Sequence, residues 1–90
     1  MFYATLGLLV TKQLTASKHA GVIAVFHRDF VNTNIFPKEL AKYLDLAFDM
    51  RTKSDYRELV EFKKEQIEEL LIGAERFVRK AKEIIEAVVV

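Results

Sequence analysis

The chain of 90 residues has no cysteine and no tryptophan, one proline and three glycines, and each scarcity removes a class of protein. Without cysteine, disulfide scaffolds, thiolate catalysis and Cys-based zinc sites are excluded, and the redox compartment stays open. So few prolines and glycines leave too few breakers for the many turns of an all-β fold. Charge of one sign is lacking too. Fourteen Lys and Arg against thirteen Asp and Glu give +1, which is not the footprint of a protein held to nucleic acid by bulk charge. Any RNA contact must come from a local patch. No run approaches the ~18 consecutive apolar residues of a membrane span. The start of the chain, Met1 to Val10, is interrupted by Thr5, is followed by Thr11 and Lys12, and lacks the basic flank of a signal peptide. A cytoplasmic protein with no membrane contact is the expectation.

What remains is 51% hydrophobic and 30% charged, a composition that favours helices. At this length one domain is the sensible count. Such a chain buries roughly two-thirds of its unfolded surface, which leaves little surplus for a strained site and makes oligomerisation an expectation.

From residue 2 to about 14, Tyr3, Leu6, Gly7, Val10 and Leu14 fall at the three-and-four spacing of one helical face, widened by Phe2 and Leu9. No Ser, Thr, Asp or Asn precedes this helix, so its first turn is uncapped. Ser17 is the expected N-cap of a second helix, 18 to 31, carrying Val22, Ile23, Phe26 and Phe30. Asn32, Thr33 and Asn34 form a polar turn, after which Pro37 suits a helix start and Glu39 adds favourable charge. The third helix carries Leu40, Tyr43, Leu44, Ala47 and Phe48 toward Asp55. Residues 56 to 62 read as a connection. A last helix, about 64 to 87, sets Ile67, Leu70, Leu71, Ala74, Phe77, Val78, Ala81, Ile84, Ile85 and Val88 on one side. Helices joined this way predict an all-α, antiparallel up-and-down bundle. The wholly apolar end, residues 87 to 90, is expected to pack on the bundle or on a partner chain.

Arg51 is the most informative position. Counting from Leu40 and Leu44 through Ala47, it falls where the stripe would want an apolar side chain, and Asp55 follows on the same face. One reading is an intrahelical ion pair at the end of the bundle, with Arg51 snorkelling to solvent. The other is a functional arginine, oriented by Asp55 and flanked by the Tyr56 hydroxyl, holding a phosphate. His19 shares a stripe with Ile23, Phe26 and Phe30, and reads as a helix-start histidine packed on a neighbour. His27, beside Arg28 and Asp29, reads as solvent-facing. The two lack the spacing and companions of a metal site, so no metal is expected. The chain has no Gly-rich phosphate loop, no Ser-His-Asp arrangement and no paired catalytic carboxylates. Glu65, Glu68 and Glu69 at the start of the last helix and Arg79, Lys80 and Lys82 near its end suit the macrodipole.

One series of residues resembles a known family: Tyr3-Ala4, then Ser17-Lys18-His19-Ala20-Gly21-Val22-Ile23, Phe26, Asp29-Phe30-Val31, Phe36-Pro37-Lys38-Glu39-Leu40, and Asp49-Met50-Arg51 with Asp55-Tyr56. The series is similar to that of HEPN domains, in a subgroup of short prokaryotic members, over nearly the whole chain. The resemblance implies a helical bundle that dimerises, often encoded beside a minimal nucleotidyltransferase with which it forms a toxin-antitoxin pair. Many members are metal-independent ribonucleases that pair an Arg with a His a few residues later, the two subunits joining their motifs at the dimer cleft. Arg51 matches that arginine. The histidine has no match, because Thr52, Lys53, Ser54, Asp55, Tyr56 and Arg57 follow and no later His exists. A carboxylate at Asp55 cannot supply the cationic acid that a protonated imidazole offers a leaving alkoxide at neutral pH, so binding is expected ahead of cleavage, and a weak or inactive metal-independent ribonuclease stays open.

Relatives also carry a full helix and part of another before the Tyr3-Ala4 segment. Residues 1 to 90 are therefore expected to form a single HEPN-like domain lacking the family's first helix and completed by dimerisation. The functional expectation is a component of a toxin-antitoxin or nucleotidyltransferase-linked system. Arg51, Asp55 and Tyr56 stand as the catalytic candidates, and Arg51, Lys53 and Tyr56 as the residues that hold RNA phosphate or nucleotide, without a cofactor. The alternative is a non-catalytic helical dimer that holds a partner protein and in which Arg51 and Asp55 are a structural pair. Swapping Arg51 and Asp55 separates the two, since a structural pair partly survives the swap and a phosphate site does not.

Overall fold

The computed structural model describes residues 1–55 and 64–89, with side chains described for 1–50 and 64–88. Within them the chain forms α1 (Phe2–Thr11), α2 (His19–Phe26) running on into a π-helical turn (His27–Val31), α3 (Lys38–Asp55) and α4 (Lys64–Val89). The described residues contain no strand, and the helical bundle expected from composition is what forms. Helix α4 packs on both α3 and α1, α1 packs on α2, and the π turn reaches α3. The expected connection at 56 to 62 lies outside the described residues, as do Val90 and the side chain of Val89.

Helix α1 starts uncapped, as expected: Met1 offers no side-chain bond. Its carbonyl instead accepts from the Thr5 amide (3.0 Å) and the Thr5 hydroxyl (2.9 Å), which satisfies a fully buried Thr5. The helix ends at Thr11 and not at Leu14. Gln13 takes the left-handed conformation (φ 57°), the Leu14 amide donates to the Leu9 carbonyl (2.9 Å) and the Gln13 amide to Val10 (2.9 Å), the Schellman arrangement without its usual glycine. Leu14 then turns back onto the core.

The buried side of α1 is also different from the expected one. Leu8, Leu9 and Thr5 face inward, while Tyr3 and Val10 are exposed at 86% and 69%. Apolar residues surround this helix on all sides, so periodicity cannot select a face and tertiary packing does. The contact with α4 is close at Gly7, where a Cβ would lie 3.0 Å from the Ile85 side chain.

At α2 the N-cap is Lys18, with extended backbone (φ −124°, ψ 152°), and no side chain caps the helix, so Ser17 does not play the expected part. Past Phe26 the helix widens: the Asn32 amide donates to the His27 carbonyl (2.8 Å), a five-residue step. The Asp29 carbonyl accepts from the Lys12 ammonium (2.7 Å) and from the Thr33 hydroxyl (2.9 Å), which ties the turn to α1. Asn34, in the left-handed region at φ 63°, completes the predicted polar turn. Pro37 stands just before α3, its carbonyl accepting from the Leu40 and Ala41 amides, and Glu39 sits in the first turn.

The core is centred on four phenylalanines. Phe26, Phe30, Phe36 and Phe77 are all buried, with Phe36 and Phe77 ring centres 4.6 Å apart, Phe26 and Phe36 5.0 Å, and Phe26 and Phe77 5.6 Å. Helix α4 supplies Phe77 and Ala81 to this core, and at Gly73 its backbone lies directly under the Tyr43 ring of α3. A methyl group at Gly73 would overlap that ring. The predicted apolar side of α4 is broader than the buried one: Ile67, Leu71, Val78 and Val88 stay exposed.

Candidate functional site

The N-terminal ends of α1 and α2 and the middle of α3 border a cleft. Met1, Phe2, His19, Ile23, Leu44, Ala47 and Phe48 line it, and no described α4 side chain does. Its volume is about 170 Å³. Phe2 and His19 are stacked, with ring centres 4.2 Å apart and planes tilted by 30°, so His19 does pack on a neighbour at its helix start. His19 is the first residue of α2, where side chains tilt toward the helix N-terminus, and its ring meets Phe2 at the start of α1.

Helix α3 runs unbroken from the cleft through Asp55. Its turn after Ala47 and Phe48 carries Arg51, and Asp55 stands one turn further, so the i, i+4 register read from the sequence holds in the backbone. Lys53 lies in the same stretch. The side chains of Arg51, Lys53 and Asp55 lie outside the described residues, and Tyr56 lies outside them altogether.

His27 faces α3, contrary to the solvent-facing expectation. Its Nε2 is 2.8 and 2.9 Å from the two Asp45 carboxylate oxygens, both side chains being about one-third to one-half exposed. His27 opens the π turn, and that turn packs on α3. Beside it, Arg28 donates from Nε (2.9 Å) and Nη2 (2.8 Å) to the Asp29 carboxylate, a hydrogen bond that raises the guanidinium above its ordinary value. The two histidines thus engage different partners, and among the described residues no three His, Asp or Glu side chains gather as a metal site would require. The His27–Asp45 pair spans 18 residues and has no local signal, so sequence reading could not find it.

On the other side of α3, Leu40 and the α4 residues Arg76, Arg79, Lys80 and Glu83 line an open groove. Arg79 is paired with Glu75 (2.8 Å) and Lys80 with Glu83 (3.4 Å), one helical turn away in each case, which leaves little net charge on the surface. Among the described residues no helix is long and apolar enough to cross a membrane.

Comparison with known proteins gives the chain its relatives. The family model described as the HEPN domain matches residues 1–85. A UPF0332 protein of Thermotoga maritima is 42% identical over 86 residues, covering 96% of this chain and 65% of its own. Two proteins of Methanocaldococcus jannaschii, each named a "putative toxin", are 39% and 31% identical, over 91% and 98% of this chain and 56% and 65% of their own. The chain thus spans somewhat more than half the length of these curated relatives. No solved structure matches it significantly.

Proposed function

The chain belongs to the HEPN family, and from that premise we propose that it is a toxin-antitoxin component that binds RNA phosphate or nucleotide at the C-terminal half of α3. One observation supports this most directly. Helix α3 does not stop at the cleft but carries Arg51 and Asp55 on the next two turns of the stripe that lines it, a cation where a buried stripe would continue apolar. Tyr56, close in sequence, adds a hydroxyl for the same phosphate, and Lys53, two residues from Arg51 and so on the other side of the helix, a cation for a neighbouring one. The names of the two Methanocaldococcus relatives support the toxin reading. A second copy of the chain and a nucleotidyltransferase are the proposed partners, with residues 1 to 90 acting as one helical domain.

In this reading the chain binds and does not cleave. Arg51 neutralises phosphate charge and Asp55 orients the guanidinium, but no imidazole follows Arg51 to protonate a leaving oxygen. The test is an RNA oligonucleotide titration by fluorescence anisotropy, in EDTA, of the wild type and of Arg51→Ala, with the products inspected on a gel. Loss of binding in Arg51→Ala with no cleavage by the wild type supports the proposal. Cleavage that disappears in Arg51→Ala makes the chain a nuclease, and equal binding by both removes Arg51 from the site.

A second reading is favoured by the apolar side chains left on the outside, Tyr3 and Val10 on α1 and Leu71, Ile72 and Val88 on α4. They suit a helical dimer that holds a partner protein, in which Arg51 and Asp55 only pair with each other. Light scattering across a dilution series reads the dimer, and the Arg51→Asp, Asp55→Arg double exchange reads the pair.

A further inference from the structure

We infer that the open groove between the first turn of α3 and the second half of α4 docks a short extended segment of a partner protein, acidic at one end and apolar beside it. Leu40 supplies the apolar part of the groove, and Arg76, Arg79, Lys80 and Glu83 line the rest of a volume of about 310 Å³. The four charged residues fall at i, i+3, i+4 and i+7, so they share one face of α4 and extend over about 10 Å of it. An extended chain covers that length in about three residues. The groove opens at the start of α3 and Arg51 lies near its end, so this docking does not depend on the phosphate reading above.

Charge is the first reason. Arg76 stands one turn from both Arg79 and Lys80, a like-charge spacing that opposes the helix and so gains nothing for the fold. Glu75 accepts from Arg79 (2.8 Å) and Glu83 from Lys80 (3.4 Å), whereas among the described residues Arg76 has no ion pair. A carboxylate meeting the planar fork of Arg76 gains two parallel hydrogen bonds. Exposed pairs one turn apart contribute little, so Arg79 can turn from Glu75 to the same carboxylate at small cost.

The rest of the lining selects a peptide over a nucleic acid. A nucleic-acid strand carries negative charge at every unit, and it would meet Glu83 at one end of the groove and Leu40 along it. A peptide sets its carboxylates at Arg76 and Arg79, an apolar side chain on Leu40, and an amine toward Glu83. The acidic end therefore lies toward Arg76.

The test follows the backbone amides of the intact chain by proton–nitrogen correlation NMR while an acetylated Asp-Glu-Leu-Lys peptide is added. Saturable shifts are expected at Leu40 and at residues 76 to 83, and none with Asn-Gln-Leu-Lys, which has the same shape without the carboxylates. Arg76→Ala should weaken binding about tenfold, the loss of one charge-assisted contact. Lys82→Ala removes the same charge from an exposed position outside the groove and should change binding by less than about twofold. Both variants replace exposed helical residues with the best helix former, and Arg79→Gln provides a further reading of the same site. No saturable shift, equal losses in Arg76→Ala and Lys82→Ala, or an equal response to the amide peptide each overturns the inference. Tighter Arg76-dependent binding of an oligouridylate than of the peptide also overturns it, and makes the groove a nucleic-acid surface.

Discussion

Two groups of aromatic rings stand at different ends of α2 and differ in one respect. Phe26, Phe30, Phe36 and Phe77 are closed over by α4, whereas Phe2, His19 and Phe48 border an open cleft whose lining includes no described α4 residue. Residue type does not distinguish them, since both are aromatic clusters and α2 with its π turn contributes to each, Phe26 and Phe30 to one and His19 to the other. What distinguishes them is the arrival of a fourth helix opposite. Where it comes, the rings become core; where it does not, they stay part-exposed at the border of a cleft.

Breaking the closed group should have the largest effect. Phe77→Ala is expected to cost about 3–5 kcal/mol in urea denaturation, because the ring is fully buried among three others and its loss leaves a cavity. Gly73→Ala comes next, at about 1–3 kcal/mol, since the new methyl overlaps the Tyr43 ring. A Tyr43→Ala change should cancel most of the Gly73→Ala cost in a double-mutant cycle, and additivity would show that the contact is relieved elsewhere. Phe2→Ala, in the open group, should cost only about 1 kcal/mol, because its ring is already part-exposed. If Phe2→Ala costs as much as Phe77→Ala, the two groups are one core and the comparison fails. The smallest effect lies outside both groups: Gln13→Gly should raise stability by up to about 1 kcal/mol, by relieving a left-handed non-glycine residue.

Helices α3 and α4 were legible because polar residues on one side force a face, and Pro37 with the Asn32–Thr33–Asn34 turn marks where α3 begins. The family was legible too, from the motif series now matched over residues 1–85. Helix α1 was not, for opposite reasons at its two ends. Its sequence is apolar all round, so Tyr3 and Val10 looked as inward as Leu8, and its terminus uses Gln13 where only Gly or Asn would have signalled a left-handed cap. On α4 the apolar side was read correctly, but its width exceeds what two neighbouring helices cover, and so Leu71 and Val88 remain outside. Of the candidate site, sequence located Arg51 and Asp55 on one stripe. It could not locate the cleft beside them, because Phe2, His19 and Phe48 come from three helices and are brought together only by packing.

The π turn has a consequence for how this chain tolerates change in length. An extra residue in a helix rotates everything beyond it by about 100°, and here the wide step runs from His27 to Asn32, so that His27 keeps the phase of α2 and faces Asp45 while Asn32 and the turn beyond it take a new setting. The turn works as a phase shifter between two halves that need different angular settings. Losing a single residue within His27–Val31 would restore a uniform helix and bring one half into place only by dislodging the other. A one-residue deletion there should therefore be far more damaging than any conservative replacement at the same positions.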